Sequence, residues 1–219
     1  MRMIDRIRTQ GFDLSDRRAA VIGCGGLGCS VLTHLSCAGI GELVICDRDT
    51  VSESNLNRQF LYGYEDIGKK KVFLAKKRLS GTAPYTKITA VEADIVSPED
   101  LTFAKEADII VLAADNNACR RAVSQFCKEN NIPLVNGGVN GFFGMAYLYI
   151  PGTSPDLESA GLLGTENRKT LSVSSTVGVI GSLEAHLAIK YLIGDASCAG
   201  RLHIFDDGEI SVLNIKNTR

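Results

Sequence analysis

The chain has 219 residues, 45% of them apolar, and a formal net charge of -1. That length can bury a sizeable core as one large domain, or one domain with an extension. The near-neutral charge gives no basic footprint for nucleic acid, and no apolar run approaches the roughly 20 residues that span a membrane.

The first 18 residues are polar and charged and read as an N-terminal arm, with Phe12 and Leu14 as anchors. Met1-Arg2-Met3-Ile4-Asp5-Arg6 lacks the apolar stretch of a secretory signal, so a cytoplasmic protein is expected. Ala19-Ala20-Val21-Ile22 is a short buried strand. It leads into Gly23-Cys24-Gly25-Gly26-Leu27-Gly28, and an apolar helix follows from Leu27 to Ala38. A strand, a tight glycine turn and a helix form the entrance to a nucleotide site. The glycines let the backbone approach a phosphate, and the helix N-terminus offers unpaired N–H groups to it. Gly39-Ile40-Gly41 stops the helix, and Leu43-Val44-Ile45-Cys46 is a second buried strand ending at Asp47. Asp47 lies about 20 residues beyond the turn, the spacing at which an acid meets a ribose hydroxyl.

Residues 49–60 are polar, without helical or strand alternation, and read as a long functional loop. Gly68-Lys69-Lys70-Lys71-Val72 opens a second helix running through Leu79. Lys87 to Asp94 is a third strand, and Ser97-Pro98 caps and starts a short helix. Asp108 to Ala114 is the clearest buried strand. A helix follows over 116–130, then a strand over 133–136 and Gly137-Gly138. This alternation implies a Rossmann-like α/β fold, a mostly parallel sheet with helices on both faces. The remainder changes character: a strand over 144–150, a glycine-rich segment over 151–173 expected to be a mobile loop, and an apolar helix over 177–193. Strands on either side of Asp207-Gly208 then form an antiparallel hairpin. No boundary divides the chain, so 1–219 reads as one domain.

The glycine turn alone fits a nicotinamide or methyl-donor enzyme as well as ATP chemistry. Ser54-Asn55-Leu56-Asn57-Arg58-Gln59 is more specific. Arg58 can fork across phosphate oxygens, and the amides can fix orientation. Lys71 falls in the first turn of a helix, where the dipole disfavours a cation unless an anion is near; Lys69 and Lys70 can be a solvated run. Asp115 ends a buried strand and is either a helix N-cap or a Mg²⁺ ligand. The seven cysteines are odd in number and contain no C-x-x-C, so they read as buried reduced thiols, and His34, His186 and His203 show no ligand spacing.

These motifs, with Asp66-Ile67-Gly68, Asn116, Arg120 and Gly178 to Ala185 in this order, make the chain resemble the ThiF/MoeB family, relatives of the ubiquitin-activating enzymes. The resemblance implies ATP- and Mg²⁺-dependent adenylation of the C-terminal glycine of a small ubiquitin-like sulfur-carrier protein, by a homodimer. Asp47 would hold the ribose; Asn55, Arg58 and Lys71 the phosphates; Asp115 the metal. Gly23, Gly25, Gly26, Gly28, Asp49, Gln59 and Asn116 complete the candidate ATP set. Arg58, Lys71 and Asp115 are the candidate catalytic residues. Arg6 or Arg8 would reach the partner subunit's ATP.

The chain departs from the family pattern in two ways. Pro155-Asp156-Leu157-Glu158 stands where the first of two zinc-binding C-x-x-C pairs would be, so no zinc is expected. Residues 154–176 contain no cysteine, so the reaction is expected to stop at the acyl-adenylate; Cys198 is the most exposed thiol candidate by sequence. The competing readings are a NAD-dependent oxidoreductase, a relative adenylating a tRNA nucleoside, and a catalytically silent scaffold. The carrier and its pathway, thiamine, molybdopterin or other, are not legible in these residues.

Overall fold

A computed structural model describes residues 9–164 and 171–215. It contains one eight-stranded sheet in the order β3-β2-β1-β4-β5-β6-β7-β8. The strands are β1 (Arg18–Ile22), β2 (Glu42–Cys46), β3 (Lys87–Val91), β4 (Ile109–Leu112), β5 (Leu134–Asn140), β6 (Phe143–Tyr149), β7 (Arg201–Asp206) and β8 (Glu209–Asn214). β3, β2, β1, β4 and β5 are parallel, while β5 to β8 form an antiparallel meander. The helices are α1 (Gly26–Cys37), α2 (Lys71–Thr82), α3 (Asn117–Asn130) and α4 (Ser174–Leu192).

Strand periodicity of two sends alternate residues to opposite faces. Ala19, Val21, Leu43, Ile45, Ile109 and Val111 meet Val31, Leu35, Ala75, Leu187 and Leu192 from α1, α2 and α4. Ala20, Ile22, Val44, Ile110 and Leu112 meet Leu101, Val123, Phe126 and Cys127 from the opposite side. The fold is the expected one: a mostly parallel Rossmann-like sheet, helices on both faces, antiparallel strands at the C-terminal side. The Asp207-Gly208 hairpin takes positive φ at both residues, as its short turn requires.

Several local expectations change. The polar excursion contains a 3₁₀ turn, Glu53–Asn55, held where the Ser52 N–H donates to Asn55 Oδ1 at 3.2 Å. The short element after Ser97 is also 3₁₀, Pro98–Ala104, with Asp100 accepting from the Ser97 N–H at 2.9 Å. β5 runs on through both glycines, because β6 pairs with it along its length. Residues 151–164 form turns that pack on the sheet: Leu157 is fully buried and the Tyr147 hydroxyl donates to the Pro155 carbonyl at 2.8 Å. Of the rest of the expected mobile loop, Ser172 bridges to Gly141, and 165–170 lie outside the described residues, as do Arg6 and Arg8. Cys198 is buried, contrary to expectation, and the exposed thiol among the described residues is Cys37. No helix among the described residues is long and apolar enough to cross a membrane.

Candidate active site

The chain leaves β1 toward β2 and β3 on one side and later returns to place β4 and β5 on the other. The crevice outside the carboxyl ends of β1 and β4 is therefore a topological switch point, where open α/β sheets bind ligands. A cleft of about 760 Å³ lies there. The glycine turn forms its base. Gly23 has φ +104°, and a Cβ there would fall 2.6 Å from the Ala113 carbonyl oxygen. A Cβ on Gly28 would fall 2.1 Å from the Gly23 carbonyl oxygen, so Gly28 tightens the turn from behind rather than lining the cleft. α1 starts after Gly25 with no side-chain cap and no acidic residue in its first turn. Its leading N–H groups and positive dipole end therefore face the cleft, ready for an anion.

Asp47, at the end of β2, is spent first on the protein. Its Oδ2 accepts from the Cys24 N–H at 2.6 Å and its Oδ1 from the Asp49 N–H at 2.7 Å. Burial pushes its carboxyl above the usual range, and these backbone donors oppose the rise. A carboxylate has about four lone-pair sites, so both oxygens can still accept from a ligand hydroxyl.

Lys71 opens α2 with its side chain 5% exposed, and its ammonium sits 3.0 Å from Asp49 Oδ2. Asp49 supplies the anion that a cation at a helix N-terminus requires. Lys69 and Lys70 are the more exposed neighbours, paired to Asp66 and Glu92. Arg58 reaches the cleft beside Gly26, where a Cβ would lie 3.5 Å from its Cγ. Its Nη1 donates to the Ser54 carbonyl at 3.0 Å and to Asn57 Oδ1 at 2.8 Å. The excursion is tied to the turn by Tyr62, whose buried hydroxyl donates to the Cys24 carbonyl at 2.7 Å.

Asp115 follows β4 and is exposed in the cleft. It is not the helix cap. Asn116 caps α3, its Oδ1 accepting from the Cys119 N–H at 2.7 Å, so the Asp115 carboxylate stays available. Among the described residues, no group of three or more His, Cys, Asp or Glu is placed to hold a metal. A divalent cation beside Asp115 would draw its other ligands from a bound phosphate and water, the usual arrangement for Mg²⁺.

The cleft thus gathers Gly23, Gly25, Gly26, Asp47, Asp49, Arg58, Lys71, Asp115 and Asn116. Asn55 and Gln59 do not line it: Asn55 closes the 3₁₀ turn, and Gln59 is buried near Gly25. Sequence reading missed the flanks. Cys46, Ala93, Asp94, Ile95 and Cys119 line the β2–β3 side, and Val139, Asn140, Phe143 and Met145 line the β5–β6 side. Apart from Cys119, which lies in the first turn of α3, they sit in or beside strands, a signal visible once strand order is known.

Sheet order and switch-point cleft together define a Rossmann-like α/β protein, with Lys71 and Arg58 both lining that cleft. The chain belongs to the ThiF family, whose model matches residues 2–219. It is 35% identical over 214 residues to the molybdopterin-synthase adenylyltransferase of Escherichia coli (strain K12), covering 92% of this chain and 86% of that protein. It is 33% identical over 214 residues to the sulfur carrier protein ThiS adenylyltransferase of the same organism, covering 93% and 84%. A crystal structure of E. coli MccB with ATP superposes with a TM-score of 0.84 at 25% identity, over 94% of this chain and 65% of that one.

Proposed function

We propose that this chain uses ATP to adenylate the C-terminal carboxylate of a small ubiquitin-like sulfur-carrier protein, releasing pyrophosphate. The observation that carries the reading is the pairing of the buried Lys71 ammonium and the Arg58 guanidinium with an uncapped helix N-terminus at one switch-point cleft. The names of the adenylyltransferase relatives support the same chemistry.

Both reactants are anionic, so the site has to supply positive charge and alignment more than proton transfer. A terminal carboxylate is already ionised at neutral pH and needs no general base. One of its oxygens attacks the α-phosphorus, the bond from that phosphorus to the bridging oxygen breaks, and pyrophosphate leaves with the electron pair. In this reading adenosine lies toward β2 and β3, with its ribose on Asp47. The phosphates lie over the glycine turn within reach of Arg58 and Lys71, which turns from Asp49 to a phosphate oxygen. The carrier's tail enters along β5 and β6, past Gly138 and Phe143.

The donor set fits Mg²⁺: a hard, exposed carboxylate at Asp115 beside the phosphate cradle. When bound, the ion neutralises phosphate charge. The reading carries a homodimer as the working unit.

The test is ATP–pyrophosphate exchange with candidate carriers ending in Gly-Gly. Exchange should require the carrier and vanish when its terminal carboxylate is amidated. Retention of NAD with no exchange for any carrier would refute the proposal.

A further inference from the structure

Behind Asp115 lies a charged group that the adenylation reading does not use. Arg120, in the first turns of α3, is buried yet borders the cleft. Its Nη1 donates to the Asn136 side-chain oxygen, and to the Gly137 carbonyl at 3.3 Å. Its Nη2 donates to the Ala114 carbonyl, also at 3.3 Å. One planar fork therefore joins the residue just before Asp115 to the adjacent strand β5. A lysine has no such fork and could not hold both strands in one plane.

Glu184 of α4 presses on the same stretch of β5. It is fully buried, and a Cβ on Gly137 would fall 2.3 Å from its carboxyl carbon. Burial pulls the Arg120 guanidinium down from its usual range, and the nearby Glu184 and Asp115 carboxyl groups oppose that. Arg120 Nε and Asn136 Nδ2 are buried without partners among the described residues. Unpaired buried polar atoms are costly, and apolar side chains would fill a core as well. A polar cluster of this cost in the wall of the cleft points to a positional task.

We propose that Arg120 is the positioning residue for Asp115: its fork fixes the β4 end against β5, while Glu184 walls Gly137 from behind. Both Nη atoms of Arg120 are bonded to the protein, to Asn136, Gly137 and Ala114. Arg120 acts through the carbonyl that precedes Asp115, as outer partners orient the ligands of a metal. The inference rests on the reading of Asp115 as the cation ligand.

Arg120→Lys, Asn136→Ala and Asp115→Asn are compared with the unaltered chain by thermal melting and by calorimetric titration of ATP at graded MgCl₂. The readout is the Mg²⁺ concentration that half-tightens ATP binding, which a merely structural loss does not move. Asp115→Asn should abolish the tightening. Arg120→Lys should raise the required Mg²⁺ at least about tenfold and keep cation-free ATP affinity within about twofold. Asn136→Ala, which keeps the guanidinium and removes one acceptor, should raise it about threefold. Normal Mg²⁺ dependence in folded Arg120→Lys and in Asn136→Ala, beside a shifted Asp115→Asn, overturns the positioning role and leaves the cation reading standing. An unshifted Asp115→Asn overturns the cation reading, and the positioning role with it. If Arg120→Lys does not fold, Asn136→Ala decides.

Discussion

Replacing Lys71 with methionine isolates the charge that the cleft is built around. The Lys71 side chain is 5% exposed while that of Asp49 is 55% exposed. Methionine keeps the apolar stem packed at the start of α2 and removes only the ammonium. Asp49 is left facing water, so no unpaired buried charge remains and the melting temperature should hardly move. The screened pair itself contributes little to folding. The nucleotide loses one charge-assisted contact, about 1.5–3 kcal/mol, which converts to roughly a 10- to 150-fold loss of ATP affinity. The assays are ATP titration and ATP–pyrophosphate exchange, with melting as the control. Exchange within about twofold of the unaltered chain would refute the assignment of Lys71 to the phosphates.

Asp115→Asn should melt normally, because Asn116 holds the helix cap, and should lose most exchange activity; full activity would remove Asp115 from the site. Glu184→Gln tests the buried carboxyl. Complete burial raises its pKa well above 4.5 despite the opposing Arg120 charge. The folded chain therefore keeps a proton that the unfolded chain releases, and stability is lost as pH rises from the ordinary carboxylate range through the folded value. Glutamine cannot ionise, so its melting temperature relative to the unaltered chain should climb as pH rises above the ordinary carboxylate range; a constant difference would mean that Glu184 does not titrate in the fold. Enzyme, ATP and carrier on denaturing gels should give no reductant-sensitive adduct. Cys46 and Cys119, which line the cleft, are pushed up to about 12 and about 11 chiefly by burial, and Cys198 is buried. An adduct abolished by replacing one cysteine would refute this, with exposed Cys37 the first suspect.

The sequence by itself determined the doubly wound half of the fold. Apolar runs of strand length, alternating with helices and punctuated by Gly23 to Gly28, Gly39 and Asp207-Gly208, leave few alternatives, because buried strands and tight turns impose residue types locally. It also marked Asp47, Arg58, Lys71 and Asp115, since charged residues beside buried strands and at helix starts conflict with local preference and so advertise a ligand. Other roles were settled by the structure. Asn116 rather than Asp115 caps α3, a distinction of one residue between two good caps. Asn55 closes its own 3₁₀ turn instead of facing the cleft. Asp49 reaches Lys71 across an excursion of 22 residues, and Arg120 meets Asn136 from a different element. Cys198 looked exposed because it follows Gly194-Asp195, yet the neighbouring sheet covers it, with Ala199 bridged to Leu148. The Asn116 cap and the Asn55 turn are local contacts, three residues in reach, that turned on which of several neighbouring polar side chains took the bond. The Asp49–Lys71 and Arg120–Asn136 contacts and the cover over Cys198 depend on which segments lie side by side, and pairing between distant segments leaves no local signature in the chain.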